Sequence, residues 1–237
     1  MEQSNKELLL KGLVSLEIEF PEEKAEKLAL YGDILMETNG KFNLLGKVTE
    51  NDIVVKHILD SLSGWKYVKD AKCFIDIGTG AGFPGLPLAV CLPDVKATLA
   101  DATEKKIEFI KGVCGRLGLE NVNPIAGRAE ELAHGKMRES FDICVSRAVA
   151  GLNKLSEYCL PFVKCGGMLV AYKGPLVYDE VKEAEHAFGM LGARLEGISI
   201  VNVPFLEGER YVAKIKKQKP TNPIYPRKNA QIVKKPL

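Results

Sequence analysis

The densest chemistry in the chain lies in one stretch, Asp76-Ile77-Gly78-Thr79-Gly80-Ala81-Gly82-Phe83-Pro84-Gly85. Glycines permit a tight turn and let a ligand approach the backbone with no Cβ in the way. The apolar run CFIDIG before the glycines reads as a buried strand, and PGLPLAVCL after them as a short helix. Such a helix offers free N–H groups and a positive dipole end to an anion or carboxylate. The loop follows the carboxyl end of the first strand, the place where open α/β sheets bind their ligands.

Two cofactors fit that loop. Gly80, Gly82 and Gly85 satisfy the dinucleotide spacing G-x-G-x-x-G, and Asp101 stands where a ribose-binding acid belongs. On that spacing alone the chain reads as a nicotinamide-dependent oxidoreductase. S-adenosylmethionine also needs a glycine turn and an acid for its ribose hydroxyls. Asp76 favours the second reading, because a carboxylate at the strand end suits a cationic methionine moiety and repels a pyrophosphate. The order of elements favours it too, as the chain closes on a hairpin that suits a methyltransferase sheet better than a dehydrogenase sheet.

The elements that position the loop follow from periodicity. The first sixty residues read as helices. Pro21 opens one, with Glu22 and Glu23 near its positive end and Leu28, Tyr31 and Leu35 along one face; Asn39-Gly40 stops it. A second runs from about Asn51 to Leu62, with Val55, Ile58, Leu59 and Leu62 inward and Lys56, His57, Asp60 and Ser61 on the opposite face. From residue 72 short apolar runs alternate with helical stretches, which predicts a parallel sheet covered on both faces. ARLEGISIVNV and ERYVAKIKK then form the hairpin. The expected fold is α/β: a Rossmann-like, mostly parallel seven-stranded sheet ending in an antiparallel hairpin. The expected organisation is one domain, with a helical extension over 1–65, a core over 72–217 and a basic tail over 218–237.

Composition narrows the classes further. The 237 residues are 46% hydrophobic and 27% charged, enough apolar material to bury a large core and exclude general disorder. No stretch approaches the ~18 uninterrupted apolar residues of a membrane span. The charged first twenty residues lack a signal peptide's apolar region, so the expected location is cytoplasmic. The six cysteines, Cys73, Cys91, Cys114, Cys144, Cys159 and Cys165, show no metal or redox spacing and read as buried thiols of a reducing compartment. The formal charge of +2 hides an asymmetry. From Tyr211 onward there are eight Lys or Arg and no acid, against 25 basic and 31 acidic residues before it. Lys214, Lys216, Lys217, Lys219, Arg227, Lys228, Lys234 and Lys235 are therefore candidates for phosphate contacts with a nucleic acid, and deleting 218–237 should flatten the salt dependence of binding. The alternative is that Tyr225-Pro226-Arg227 folds back onto the body.

The motifs FNLLGKVTEN, KHILDSL, DIGTGAGFPGLPLA, GRAEEL, SRAVA, AYKG and YPRKNAQIVKKPL occur in the order and spacing of a known family. The sequence resembles the bacterial RsmG proteins, also called glucose-inhibited division protein B, over nearly its whole length. The resemblance implies a class I methyltransferase that uses S-adenosylmethionine to methylate N7 of a guanine in 16S ribosomal RNA. It implies that Gly78 and Phe83 belong to the cofactor loop, shaped by Gly80 and Gly82, and that Asp101 accepts from the ribose hydroxyls. Ala129 and Glu130 would border the adenine. Arg147 would close the site near the methionine end, and Lys173 would face the same crevice. Ala102-Thr103 departs from the serine-containing pair many relatives carry, which touches only secondary contacts.

Other readings compete for single residues. Glu130 could be a solvated first-turn residue, His57 a solvated helix-face residue or a partner of Asp60, and Asn43 the holder of its own turn. Asn43 and His57 are otherwise RNA-contact candidates with Lys173, Arg227 and Lys228. Trp65 reads as packing, and His134 and His186 have no ligand spacing, so no metal is expected. Guanine N7 carries a lone pair and no proton, so direct in-line attack needs no general base, and positioning by Arg147 and Lys173 is the expected contribution. A looped RNA element, free or in the small subunit, is the expected substrate and a monomer the expected state. A ribosome-associated RNA-binding protein with a vestigial cofactor site is the third reading.

Overall fold

The computed structural model describes residues 1–41 and 44–237. The seven strands are β1 Cys73–Ile77, β2 Lys96–Asp101, β3 Val122–Ala126, β4 Phe141–Arg147, β5 Val163–Lys173, β6 Ala193–Val201 and β7 Arg210–Lys217. Their order in the sheet is β3-β2-β1-β4-β5-β7-β6. The first five run parallel, and β7 is antiparallel to both β5 and β6. The expected mixed sheet and terminal hairpin are therefore present. Strand order reverses between β1 and β4, and the carboxyl ends of these two strands carry the glycine loop and Arg147.

Helices cover both faces. Ahead of the sheet stand α1 Gln3–Ser15 and α2 Pro21–Asn39, then α3 Glu50–Asp52, a π-helical run Ile53–Leu59 and α4 Asp60–Leu62 in continuous succession. A capping box between Thr49 and Asp52 starts that last run. These elements share a hydrophobic cluster with α5 Gly85–Cys91 and α6 Glu104–Leu117: Leu9, Leu28, Tyr31, Leu35, Ile58 and Leu59 meet Leu86, Ile110 and the inward side of β1 and β2. The opposite face is covered by α8 Leu152–Cys159 and α9 Val177–Met190, with Leu155, Ala184 and Phe188 against Ile75, Leu169 and Ile215. The short α7 Ala129–Leu132 lies between β3 and β4, and α10 Asn229–Lys234 closes the chain. No helix among the described residues is long and apolar enough to cross a membrane.

Two expectations change. Asp60 and Ser61, assigned to a solvated face, are buried. The π-helical winding widens the turn, and Arg147 reaches over Asp60 from β4. Among the cysteines, four are buried, but Cys73 is half-buried and Cys165 exposed, on the outer part of β5. For the tail, the structure shows the alternative in which Tyr225-Pro226-Arg227 folds back onto the body: Tyr225 is buried, Arg227 is paired, and 229–234 is helical.

Candidate active site

Alternation along β1 sets the site. Ile75 and Ile77 face the α8 and α9 side, while Phe74 and Asp76 face the other, beneath α5. Asp76 is wholly buried there, and its Oδ2 accepts from the Gly85 N–H at 2.8 Å, which ties the strand to the first turn of α5. Among the described residues its Oδ1 and the neighbouring Thr79 hydroxyl make no hydrogen bond of good geometry. Burial pushes the Asp76 carboxyl up to about 7. Asp76 thus lies under the loop rather than in the crevice above it, a different place from the methionine-facing one its position suggested.

The loop turns at Gly78 and Gly80 with φ of +72° and +61°. Gly78 N–H and Thr79 N–H both donate to the Ala100 carbonyl, and Gly80 N–H donates to Asp101 Oδ2 at 3.0 Å. Asp101 Oδ1 accepts from Thr103 N–H at 2.9 Å, so each oxygen keeps lone pairs for further donors. A Cβ on Gly78 would stand 2.5 Å from Val149 Cγ2. A crevice of about 520 Å³ opens there, lined by Gly78, Asp101, Ala129, Glu130, Val149 and Val233 among others. That volume and the mixture of apolar walls with the carboxylates of Asp101 and Glu130 fit a nucleoside cofactor. Gly80 and Gly82 shape the loop from behind; a side chain on Gly82 would strike Leu86 and the Tyr31 hydroxyl.

Phe83 is buried and takes no part in the crevice wall. Its ring stands 5.4 Å from Tyr31 and 5.0 Å from His57, and the Arg147 guanidinium lies 5.2 Å above it. This stack leads to a second cavity of about 610 Å³, lined by His57, Asp60, Arg147, Lys173, Glu180 and Arg210 among others. Val149, Ala150 and Gly151 belong to the walls of both cavities. Arg147 donates to Asp60 Oδ2 at 2.6 Å and to the Lys56 carbonyl at 3.1 Å, and its other terminal nitrogen is 3.3 Å from His57 Nδ1. A guanidinium has no acceptor, so Nδ1 accepts and the His57 proton resides on Nε2. Burial, then the Arg147 charge, lowers His57 to about 4. Lys173 Nζ donates to Glu180 Oε2 and the Ala150 carbonyl, both at 2.7 Å.

The structure therefore gathers His57, Arg147 and Lys173 in one cavity and Gly78, Asp101, Ala129 and Glu130 in the other. Asn43 lies outside the described residues. Asp60 partners Arg147 rather than His57. Arg227 departs from its expected role: its N–H, Nε and Nη2 all bond the carboxylate of Glu157, which is wholly buried, so it is not free for phosphate. Lys217 is likewise buried, bonded to the Leu160 carbonyl, Thr221 and Glu139. Lys228, Lys219, Lys234 and Lys235 are exposed, Lys214 and Lys216 half-buried. Trp65 donates to the Leu16 carbonyl, a packing role. Reasoning from motifs missed Asp60, Glu180 and Arg210 as cavity residues; for Asp60 the signal available was its place in KHILDSL on the same face as Lys56 and His57.

A glycine loop after β1, an acid closing β2 and a sheet ending in an antiparallel hairpin define the class I methyltransferase fold. A similar fold is seen in the O-methyltransferase TomG from Streptomyces achromogenes in complex with SAM, with a TM-score of 0.55 at 16% identity over 82% of this chain and 90% of that one. A putative O-methyltransferase from Klebsiella pneumoniae gives a TM-score of 0.55 at 14% identity, covering 80% and 90%. The family model described as rRNA small subunit methyltransferase G matches residues 24–209. The chain is 43% identical over 234 residues to ribosomal RNA small subunit methyltransferase G of Clostridium perfringens, covering 98% of each. It is also 43% identical over 235 residues to the protein of that name in Alkaliphilus oremlandii, again 98% of each. The chain belongs to the rRNA small subunit methyltransferase G family. It is a methyltransferase whose cofactor is S-adenosylmethionine, and the nicotinamide reading of the glycine spacing is set aside.

Proposed function

We propose that the enzyme methylates N7 of a guanine in 16S ribosomal RNA, acting in the cytoplasm as a monomer on RNA within the small subunit or its precursors. S-adenosylmethionine, bound in the crevice beside Gly78 and Asp101, supplies an electrophilic methyl group. The second cavity receives the base across the shared segment 149–151, and the chain contributes alignment rather than proton transfer.

The observation that carries this reading is how the titratable groups of the second cavity are engaged. His57 is neutral at pH 7, with Nδ1 turned to Arg147 and its proton on Nε2. Asp60 is held by Arg147 and, at 3.5 Å, by Arg210; Lys173 and Glu180 hold each other. None of these is a free base, which suits a nucleophile that has no proton to lose. Arg147 and Lys173 are each tied to a carboxylate, which offsets part of the positive charge they present to a base that becomes cationic. Asp101 accepts from hydroxyls while Gly80 N–H fixes its orientation.

The test is the single-turnover rate of methylation between pH 6 and 9 with RNA and cofactor saturating. The reading expects a flat profile, and His57→Gln should keep it flat. A limb of unit slope that His57→Gln abolishes would assign proton transfer to His57 and overturn it.

A further inference from the structure

One wall of the cofactor crevice comes from residues to which the motifs attached no cofactor role. Tyr158 on α8 and Asn229 and Val233 on α10 line it. The Tyr158 hydroxyl donates to Asn229 Oδ1 at 2.5 Å. With Oδ1 engaged, Asn229 Nδ2 is a donor without an assigned acceptor. On α10, Ile232 is wholly buried and anchors the helix, whereas Val233 is 53% exposed with its side chain at the crevice. What sets Val233 apart from the other exposed apolar side chains is its place on the wall of a ligand-sized cavity.

The segment leading to α10 is fastened at several points. Arg227 forks onto Glu157, a carboxylate with no exposure at all. His134 Nε2 stands 2.8 Å from the Pro226 carbonyl, and Arg138 donates to the carbonyls of Tyr225 and Thr221 at 2.8 Å. Burying a carboxylate is costly and gains little stability over apolar packing, so such a pair is best explained by the geometry it fixes. What it fixes here is the position of Asn229 and Val233.

We infer that the C-terminal segment is a structural part of the cofactor site: Val233 and Asn229 touch the nucleoside of S-adenosylmethionine, and Arg227 with Glu157 is the latch that positions them. Val233 lies on the purine face and Asn229 Nδ2 donates to a purine ring nitrogen. Arg227 is a positioning residue that acts through α10. This rests on the reading that the crevice of Gly78 and Asp101 holds the cofactor. It also changes the meaning of a tail deletion, which would remove a cofactor wall along with the lysines.

The test is calorimetric titration of the full chain with S-adenosylmethionine, alongside the thermal midpoint of each variant. Val233→Glu should weaken binding about tenfold, with an unchanged midpoint because the side chain is already exposed. Asn229→Ala should weaken it several-fold. Arg227→Ala should raise the KM for cofactor with kcat little changed, and Arg227→Lys should recover part of it. Val14→Glu, equally exposed on α1, is the control and should bind as the parent does. If Val233→Glu fails to fold, Asn229→Ala decides. Parent-like binding by these α10 variants, with Asp101→Ala weakened, would overturn the inference and leave the crevice reading standing. Parent-like binding by Asp101→Ala would remove the crevice reading and the inference together.

Discussion

His57 and Asp76 give the fold two opposed responses to acid. His57 titrates at about 4 in the folded chain against 6.5 ordinarily. Between those values the unfolded chain holds a proton the folded chain lacks, so this histidine's contribution is whole above pH 6.5 and is lost as pH falls toward 4. Asp76 titrates at about 7 against 3.8. Between those values the folded chain holds the extra proton, so its contribution is present near pH 4 and is lost as pH rises through 7. Each acts at about 1.4 kcal/mol per pH unit. Asp76 accumulates about 4 kcal/mol over its window, and His57 about 2 kcal/mol after allowing for the part of its ring that water reaches. From pH 4 to 6.5 the two slopes have opposite sign and partly cancel, with the Asp76 slope the steeper.

Single variants remove one slope at a time. His57→Gln, whose carbonyl can still accept from Arg147, should gain about 2 kcal/mol relative to the parent as pH falls from 6.5 to 4. Asp76→Asn, whose carbonyl can still accept from Gly85, should lose about 4 kcal/mol relative to the parent from pH 7 to 4. Urea denaturation of the three proteins at half-unit pH steps reads this directly, because other carboxylates contribute equally to all three. Curves that stay parallel to the parent for both variants would refute the burial argument for these groups.

Arg227→Ala strands the buried Glu157 carboxylate and should cost about 3 kcal/mol of unfolding free energy, measured by chemical denaturation; a loss under about 0.5 kcal/mol would contradict the pairing. The same variant should leave the salt slope of RNA binding unchanged, whereas replacing the exposed Lys228, Lys234 and Lys235 with alanine should lower that slope by about one unit each. Filter binding from 50 to 300 mM salt distinguishes the two, and an unchanged slope for the lysine variants would end their role as phosphate contacts. Arg147→Ala removes the stack on Phe83 and the pair with Asp60; RNA or cofactor affinity should fall while the pH dependence of turnover stays as it was.

The parts of this structure legible in the sequence are those set by local pattern. Alternating apolar runs and helical stretches gave the strands, because a buried parallel strand must be apolar on both faces. The glycine loop was legible because positive φ at Gly78 and Gly80 demands that residue type. Asp76 was located but misdirected: counting by twos from Phe74 would have turned it toward α5. The pair of Asp60 with Arg147 joins residues 87 apart, and that of Glu157 with Arg227 residues 70 apart. Such pairs leave no trace in a window of one helix. The basic tail illustrates the same limit, since charge counting treats Arg227 and Lys228 alike, while burial of Glu157 separates them. The π-helical run was hidden because Val55, Ile58, Leu59 and Leu62 satisfy an α-helical stripe equally well.

The most direct measurement uses small ribosomal subunits from cells lacking this enzyme, incubated with the protein and methyl-labelled S-adenosylmethionine, with the label mapped by mass spectrometry of RNA fragments. A single labelled N7-methylguanosine in 16S ribosomal RNA is expected, absent with Asp101→Ala. Label on another base or atom, or none while cofactor still binds, would contradict the proposed function.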